Sequence, residues 1–342
     1  MDNSIAYHTF DLDVLPKLLS FWNSVFRDKR NFYPVDKELF MQRIIKQEPF
    51  DPKGFMMAIT GENVIGIVHA LKPAPSSYFV YRENRCWKNG VIAVIAVDPN
   101  YQNSGIGSEL LRRAEDYLAM HLNRDSNMYI GDLWVPLYHT LEGPRQPFWG
   151  DTEMIGIDEE DQSFIEFLKK RGYKPVLDEG REVTMVARLE NRDLPDKPDL
   201  GSLKLREVEV SEREEWDGKI GWYPEPESKG TGYIYGRFGP YVHTAIALAR
   251  KNTIVSHLEW YPMRQEKTVA LLDFLVARED RGHGLGSYLL DKALWSMAQQ
   301  GYDTVELHTS TQRNARAFDM YKKRGFNVVK KWFCLRKQLR VS

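Results

Sequence analysis

A glycine-rich strand-to-helix turn occurs twice in this chain, and the duplication constrains the fold more than any other feature. The first copy reads Val97-Asp98-Pro99-Asn100-Tyr101-Gln102-Asn103-Ser104-Gly105-Ile106-Gly107-Ser108. The second reads Val276-Ala277-Arg278-Glu279-Asp280-Arg281-Gly282-His283-Gly284-Leu285-Gly286-Ser287. Each follows an apolar, β-branched run and opens an amphipathic helical pattern. Glycines let backbone N–H groups converge on an anion, and the helix N-terminus adds its positive dipole end. Each turn is therefore suited to hold a pyrophosphate. Two copies predict two related domains and one kind of phosphate-bearing ligand.

The length of 342 residues fits two domains of moderate size. Residues 190–201 are polar and carry two prolines, which reads as a linker between the copies. The expected domains are 1–190 and 201–342, with a fragment starting near Asp199 expected to fold alone. A net charge of −1 gives no electrostatic case for nucleic acid or a membrane surface. No apolar run approaches the roughly 18–20 residues that span a bilayer. The first residues lack a basic patch followed by an apolar core, so no signal peptide is expected. Cys86 and Cys334 are read as free thiols of a cytoplasmic chain. The eight histidines are scattered and show no metal-ligand spacing, so no metal is expected.

Pattern reading places first-half strands at 5–11, 54–60, 64–71, 91–97 and 128–134, with a closing hairpin through 173–189. Helices are expected at 14–26, 37–46, 107–121 and 161–171. The second half repeats the order: strands at 203–208, 243–249, 253–261, 269–276 and 304–309, helices at 286–299 and 313–324, and a terminal strand pair from residue 326. Its early helical region is reduced to 211–220 and followed by a Gly/Pro/Tyr-rich stretch, 221–240. The helix after each turn carries a matching apolar stripe, Leu110, Leu111, Ala114 and Leu118 in one copy and Leu289, Leu290, Ala293 and Met297 in the other.

Neither turn has the lysine of a Walker A loop, and their glycine spacing does not fit the dinucleotide fingerprint. Both fit Q/R-x-x-G-x-G, which resembles the acyl-CoA loop of the GNAT superfamily of N-acetyltransferases. A second signature accompanies it. After the next strand, each half has a helix ending in Lys-Arg-Gly-aromatic, at Lys170-Arg171-Gly172-Tyr173 and Lys323-Arg324-Gly325-Phe326. Such an ending alone is ordinary helix termination. Turn plus helix, in order and in two copies, carries the resemblance across nearly the whole chain. The resemblance implies an α/β (α+β) fold of two tandem GNAT-like domains, each a mixed, mostly antiparallel twisted sheet with splayed central strands flanked by helices.

The resemblance also implies acyl transfer from acetyl-CoA, or another short acyl-CoA, to a primary amine by direct attack in a ternary complex. The CoA would be held by Gln102, Asn103, Ser104, Gly105, Ile106, Gly107 and Ser108, and by Arg281, Gly282, His283, Gly284, Leu285, Gly286 and Ser287. The strand ends Ile95-Ala96-Val97 and Phe274-Leu275-Val276 would offer free backbone N–H groups where the family splays two strands. Asn314 and Tyr321 match the Asn and Tyr of the family's later helix, and Tyr321 is the expected proton donor to the leaving thiolate. The first half has Asp161 and Leu168 at those positions and lacks that acid. The general base is sought among Glu306, His308 and Asp273. Catalysis is therefore expected in the second half, with the first binding CoA or serving a structural or acceptor-binding role. The residues leave two alternatives open: both halves active on different acceptors, or a CoA-binding sensor or interaction protein without turnover. The acceptor is a small-molecule or peptide amine. Loop residues 136–151 would either line its site or pack as a surface excursion against the second domain, and the aromatic stretch 222–235, with Glu225 and Glu227 hinting at a cationic acceptor, would shape its site. The chain is expected to be a monomer or homodimer.

Overall fold

The computed structural model describes residues 4–47, 50–72, 89–131, 138, 156–176, 182–210, 244–251, 253–312 and 314–339. The insert 136–151 other than Tyr138, the aromatic stretch with Glu225 and Glu227, the segment 211–220 and Cys86 lie outside the described residues.

Two mixed sheets form the framework. The first begins with an antiparallel meander of β1 (Ile5–Thr9), β2 (Phe55–Thr60), β3 (Asn63–Leu71) and β4 (Gly90–Val97), and continues to β5 (Asn127–Ile130). The second begins with β9 (Arg206–Val210), β10 (Thr244–Arg250), β11 (Thr253–Pro262) and β12 (Thr268–Val276), and continues to β13 (Thr304–Ser310). In each sheet the central parallel pair separates after three residues. Gly90–Ile92 align with Met128–Ile130, and Thr268–Ala270 align with Thr304–Glu306. A bulge marks each separation. His69 faces Val94 while Ala70 faces Ile92, leaving Ala93 extra. Glu259 faces Asp273 while Trp260 faces Leu271, leaving Leu272 extra. One added residue locally sharpens the twist and bends the strand away from its neighbour.

The far side of each sheet departs from the expected pairing. Residues 173–189 do not close a hairpin in the first half. Instead β7 (Lys174–Pro175) pairs with β15 (Leu335–Gln338), which lies between β5 and β7. In exchange, β8 (Glu182–Arg188) lies in the second sheet between β13 and β14 (Asn327–Phe333), with β6 (Ile157–Asp158) at its edge. The first half thus lends β6 and β8 to the second sheet and receives β15 in return, across the linker at 190–201. Burial accounts for the exchange. Val183, Met185, Ala187 and Leu189 fill the second core, and Leu335 and Leu339 fill the first. Because the two sheets are copies, an alternating strand of the right period fits either one.

Helices cover both faces of the first sheet. Helix α1 (Leu15–Val25), entered by Pro16 in its first turn, buries Leu15, Leu18, Phe21 and Trp22. The short α2 (Lys37–Phe40), capped by Asp36, runs into a π-helical turn over Met41–Ile45 rather than a single helix. Together they pack with Phe55, Met57, Ile67 and Val94. The opposite face carries α3 (Ile106–His121) and α4 (Gln162–Lys169), packed on Met56, Val68 and Ile92. In the second half, α5 (Leu285–Gln299) and α6 (Ala315–Lys322) occupy the matching face on Leu258, Trp260 and Leu271.

Candidate active site and donor clefts

The two glycine turns are built alike. Asp98 N–H donates to Ile65 O at 2.9 Å, and Ala277 N–H to Val255 O at 2.7 Å. A single 3-10 turn follows each, over Pro99–Tyr101 and Arg278–Asp280. The next side chain folds back in both copies: Gln102 Nε2 donates to Val97 O at 3.2 Å, and Arg281 Nε to Val276 O at 2.9 Å. Gly105 and Gly284 then start α3 and α5 in the left-handed region, at φ 89° and 77°. A Cβ at either would meet no atom within 4 Å, so backbone conformation rather than space selects glycine there. The first intrahelical donors are Glu109 and Tyr288. The N–H groups of Ile106, Gly107 and Ser108, and of Leu285, Gly286 and Ser287, therefore precede the ladder and face out of the helix end.

The arginine of each Lys-Arg-Gly ending braces this turn, a role the sequence reading did not assign. Arg171 donates to Phe167 O at 2.8 Å, stacks on the Phe167 ring and bonds Ser108 Oγ. Arg324 donates to Met320 O at 3.1 Å and Ser287 O at 3.3 Å, and holds Asp291 with two nitrogens. The following glycines, Gly172 and Gly325, take φ 88° and 84°, as expected for a helix C-terminus. Asn314 is the N-cap residue of α6 but makes no side-chain cap bond, whereas Asp161 caps α4 by accepting from Phe164 N–H at 3.1 Å.

A cleft of about 700 Å³ opens where β4 leaves β5. It runs from the turn (Gln102, Asn103, Gly105, Gly107, Ser108) past Phe164 and Phe167 of α4 to Val25, Phe26 and Lys29 at the end of α1. It therefore passes through the sheet: Ile95 and Val97 belong to the α3 face, Ala93 and Val94 to the α1 face. Leu168, at the register of Tyr321, is fully buried.

In the second half, the bulge turns Asp273 to the face opposite α5. Its carboxylate accepts from Phe274 N–H at 2.8 Å and lies 3.3 Å from His257 Nε2, with the side chain 39% exposed and the imidazole buried. Glu259 is its cross-strand partner. Phe274 faces the other way, against Tyr321 (ring centroids 6.5 Å apart) and over Gly286. Tyr321 is 5% exposed and also packs on Phe326. The expected acid and one expected base thus flank β12 beyond its separation from β13.

The other candidates are held differently. Glu306 is fully buried; Arg30 pairs with it and Asn31 Nδ2 donates to it at 2.9 Å. His308 lies 3.3 Å from Glu182, and both are buried. Glu306 and His308 share a face, as their spacing requires, but Glu306 is clamped by residues of the first half. The clamping segment closes on itself, since Asn23 exchanges two hydrogen bonds with Val35. It also carries Tyr33, on whose ring the Arg264 guanidinium stacks at 3.9 Å. Among the described residues no group of three His, Cys, Asp or Glu is placed to hold a metal ion. No helix among them is long and apolar enough to cross a membrane.

The description of the acetyltransferase (GNAT) family matches residues 20–130 and 206–326. The chain belongs to this family, in two tandem copies. A tandem GNAT protein from the clavulanic acid biosynthesis pathway superposes with a TM-score of 0.65 at 13% identity, over 99% of this chain and 100% of that one. A GCN5-related N-acetyltransferase from Sphaerobacter thermophilus gives 0.60 at 14% identity, over 100% and 98%. A GCN5-related glucosamine N-acetyltransferase region of a fungal multi-domain GH3 β-N-acetylglucosaminidase gives 0.65 at 15% identity; this chain aligns over 98% of its length with 38% of that protein. At these identities the likeness is one of fold. No curated protein matches the sequence.

Proposed function

We propose that the protein transfers an acetyl or other short acyl group from acyl-CoA to a primary amine, with the chemistry in the second half. The carrying observation is the placement of Asp273 and Tyr321 on opposite sides of the strand that leaves its neighbour. A thioester held by the 281–287 turn would present its carbonyl between them. The attacking amine must be neutral, so its ammonium proton passes to Asp273, directly or through water, with His257 behind the carboxylate. Nitrogen then bonds the carbonyl carbon, and the Phe274 N–H on the splayed edge of β12, held by Asp273 at 2.8 Å until that carboxylate takes the proton, would turn to the developing oxyanion. As the C–S bond breaks, Tyr321 protonates the thiolate and the proton remaining in excess on nitrogen restores the phenol, directly or through water; a phenol of ordinary pKa about 10 is protonated at neutral pH.

Facing carboxylates suit a cationic acceptor. Glu259 and Asp273 oppose each other across an antiparallel pair, which gives this face acidic character. The acceptor is accordingly a small-molecule or peptide amine. The first half, with Leu168 in place of the tyrosine, binds CoA without turnover.

The test is thiol release from acetyl-CoA with a panel of polyamines, aminoglycosides and peptides. Amine-dependent release that Gly284→Glu abolishes and Gly105→Glu spares supports the reading. Release lost only in Gly105→Glu moves the chemistry to the first half, and no release with any amine favours a CoA-binding protein without turnover. Gly105→Ala and Gly284→Ala serve as controls, because any side chain at these positive φ values strains the turn.

A further inference from the structure

Among the described residues the two halves differ where an acceptor would approach the thioester. In the second half that face carries Asp273, Glu259 and His257. The strand registers give their first-half counterparts. Val94 stands for Asp273 and His69 for Glu259, since His69 faces Val94 as Glu259 faces Asp273. Ile67 stands for His257, since Ile67 faces Ala96 as His257 faces Leu275. His69 does not restore a polar face. It is fully buried among Phe50, Phe55 and Tyr138, and its Nδ1 is taken by the Tyr138 hydroxyl at 2.9 Å.

The cleft therefore has two chemically distinct ends. At the turn are outward N–H groups, Gln102 and Arg171. At the α1 end, the described lining is Val25, Phe26, Ala93, Val94 and Ala96, with exposed Lys29 at the rim. Among the described lining residues the carboxylates are Asp158, paired with Lys330, and Asp161, which caps α4, so an ammonium entering the α1 end would shed water among apolar side chains. A hydrocarbon chain would gain about fourfold in affinity per buried methylene.

We propose that the first half binds an acyl-CoA whose chain is several carbons longer than acetyl, with the chain lying between β4 and the end of α1. This rests on the reading of the 102–108 turn as a CoA site. The occupant is an amphiphile with an anionic head at the turn and an apolar tail through the sheet. No bond is made or broken there; the site retains its ligand.

The experiment is calorimetric titration of the full chain carrying Gly284→Glu, which leaves the first turn as the CoA site, with CoA, acetyl-CoA and hexanoyl-CoA. Hexanoyl-CoA should bind at least tenfold more tightly than acetyl-CoA, and adding Gly105→Glu should abolish binding of both. Ala93→Phe fills the apolar end and should cut the hexanoyl advantage below threefold. Val25→Asp, at a half-buried helix position that tolerates substitution better, should do the same if Ala93→Phe fails to fold. Equal affinity for acetyl-CoA and hexanoyl-CoA at the Gly105-dependent site overturns the chain pocket and leaves the CoA site standing. An advantage that survives both cleft substitutions places the chain elsewhere and overturns the proposal. Failure of every CoA compound to bind overturns the reading of the turn and the proposal with it.

Discussion

Asn31 donates its side-chain amide to Glu306 at 2.9 Å, joining the loop after α1 to the central strand of the other sheet. Arg30 completes the clamp. A carboxylate so buried and so held is a joint between halves, and in the proposed mechanism the base is accordingly the more exposed Asp273.

The distinction is measurable. Glu306→Ala should lower stability by about 2 kcal/mol or more, toward the lower part of the range for breaking a buried pair because Arg30 keeps some solvent. Its turnover, measured below the lowered melting temperature, should keep the pH profile of the wild type. Asp273→Asn should fold normally and lose roughly 10²–10⁴-fold in kcat, with the acidic limb of the profile gone. The opposite assignment of effects would make Glu306 the base.

Tyr321→Phe removes one hydroxyl from a packed ring. Turnover should fall by roughly 10–10⁴-fold while acyl-CoA affinity changes little. The alkaline limb of the rate profile should change as well, because the phenol is gone. Leu168→Tyr should not create activity in the first half, since Val94 stands where Asp273 would be needed. Full turnover in Tyr321→Phe would remove it from the mechanism.

Separation at the linker should fail. A fragment beginning at Asp199 lacks β8, which lies between β13 and β14, so its sheet has a gap in the middle. Residues 1–190 alone lack β15, the strand between β5 and β7. Each fragment should be insoluble or lack near-UV circular dichroism, whereas the two produced together should copurify. A stable, monomeric 199–342 fragment with dispersed amide resonances would refute the exchange.

His69 should make the protein acid-sensitive. Burial pushes its pKa down to about 3, against an ordinary value near 6.5. Above pH 6.5 both folded and unfolded forms are neutral there, and the residue contributes no pH dependence. Between 6.5 and about 3 the unfolded chain takes a proton that the folded chain refuses. Stability then drops by up to about 1.4 kcal/mol per pH unit. His69→Gln, which can still bond Tyr138, should flatten the melting temperature across that window; an unchanged slope would refute the assignment.

The glycine turns and the paired helices were legible because each rests on local chemistry, whereas the separation of the central strands was implied only by the family resemblance. Gly105 and Gly284 need a left-handed backbone, and Leu110 or Leu289 repeats at helical spacing. The strand exchange was not legible. Val183, Met185 and Ala187 alternate as any half-buried strand does, and alternation records a face without recording which sheet owns it. The segments matched by the family description, 20–130 and 206–326, contain none of the exchanged strands β6, β8 and β15. The clamp on Glu306 was hidden for a different reason: Arg30 and Asn31 stand in an unpatterned charged stretch, and only tertiary structure brings them to residue 306. His257 was missed because a lone histidine in a strand carries no spacing signal, while Arg171 and Arg324 passed as ordinary helix-end charges.

The reciprocal strands impose an order on synthesis. As the chain leaves the ribosome, β5 and β7 emerge with an empty slot between them that only residues 335–338 can fill. The first half must therefore wait, with two strand edges unsatisfied, until residues 335–338 have been translated. Growth from the N-terminus ordinarily lets an early domain finish before a later one begins. Here neither half can mature before the other, and a nascent chain stalled or truncated before residue 335 has no completed half to show for its length.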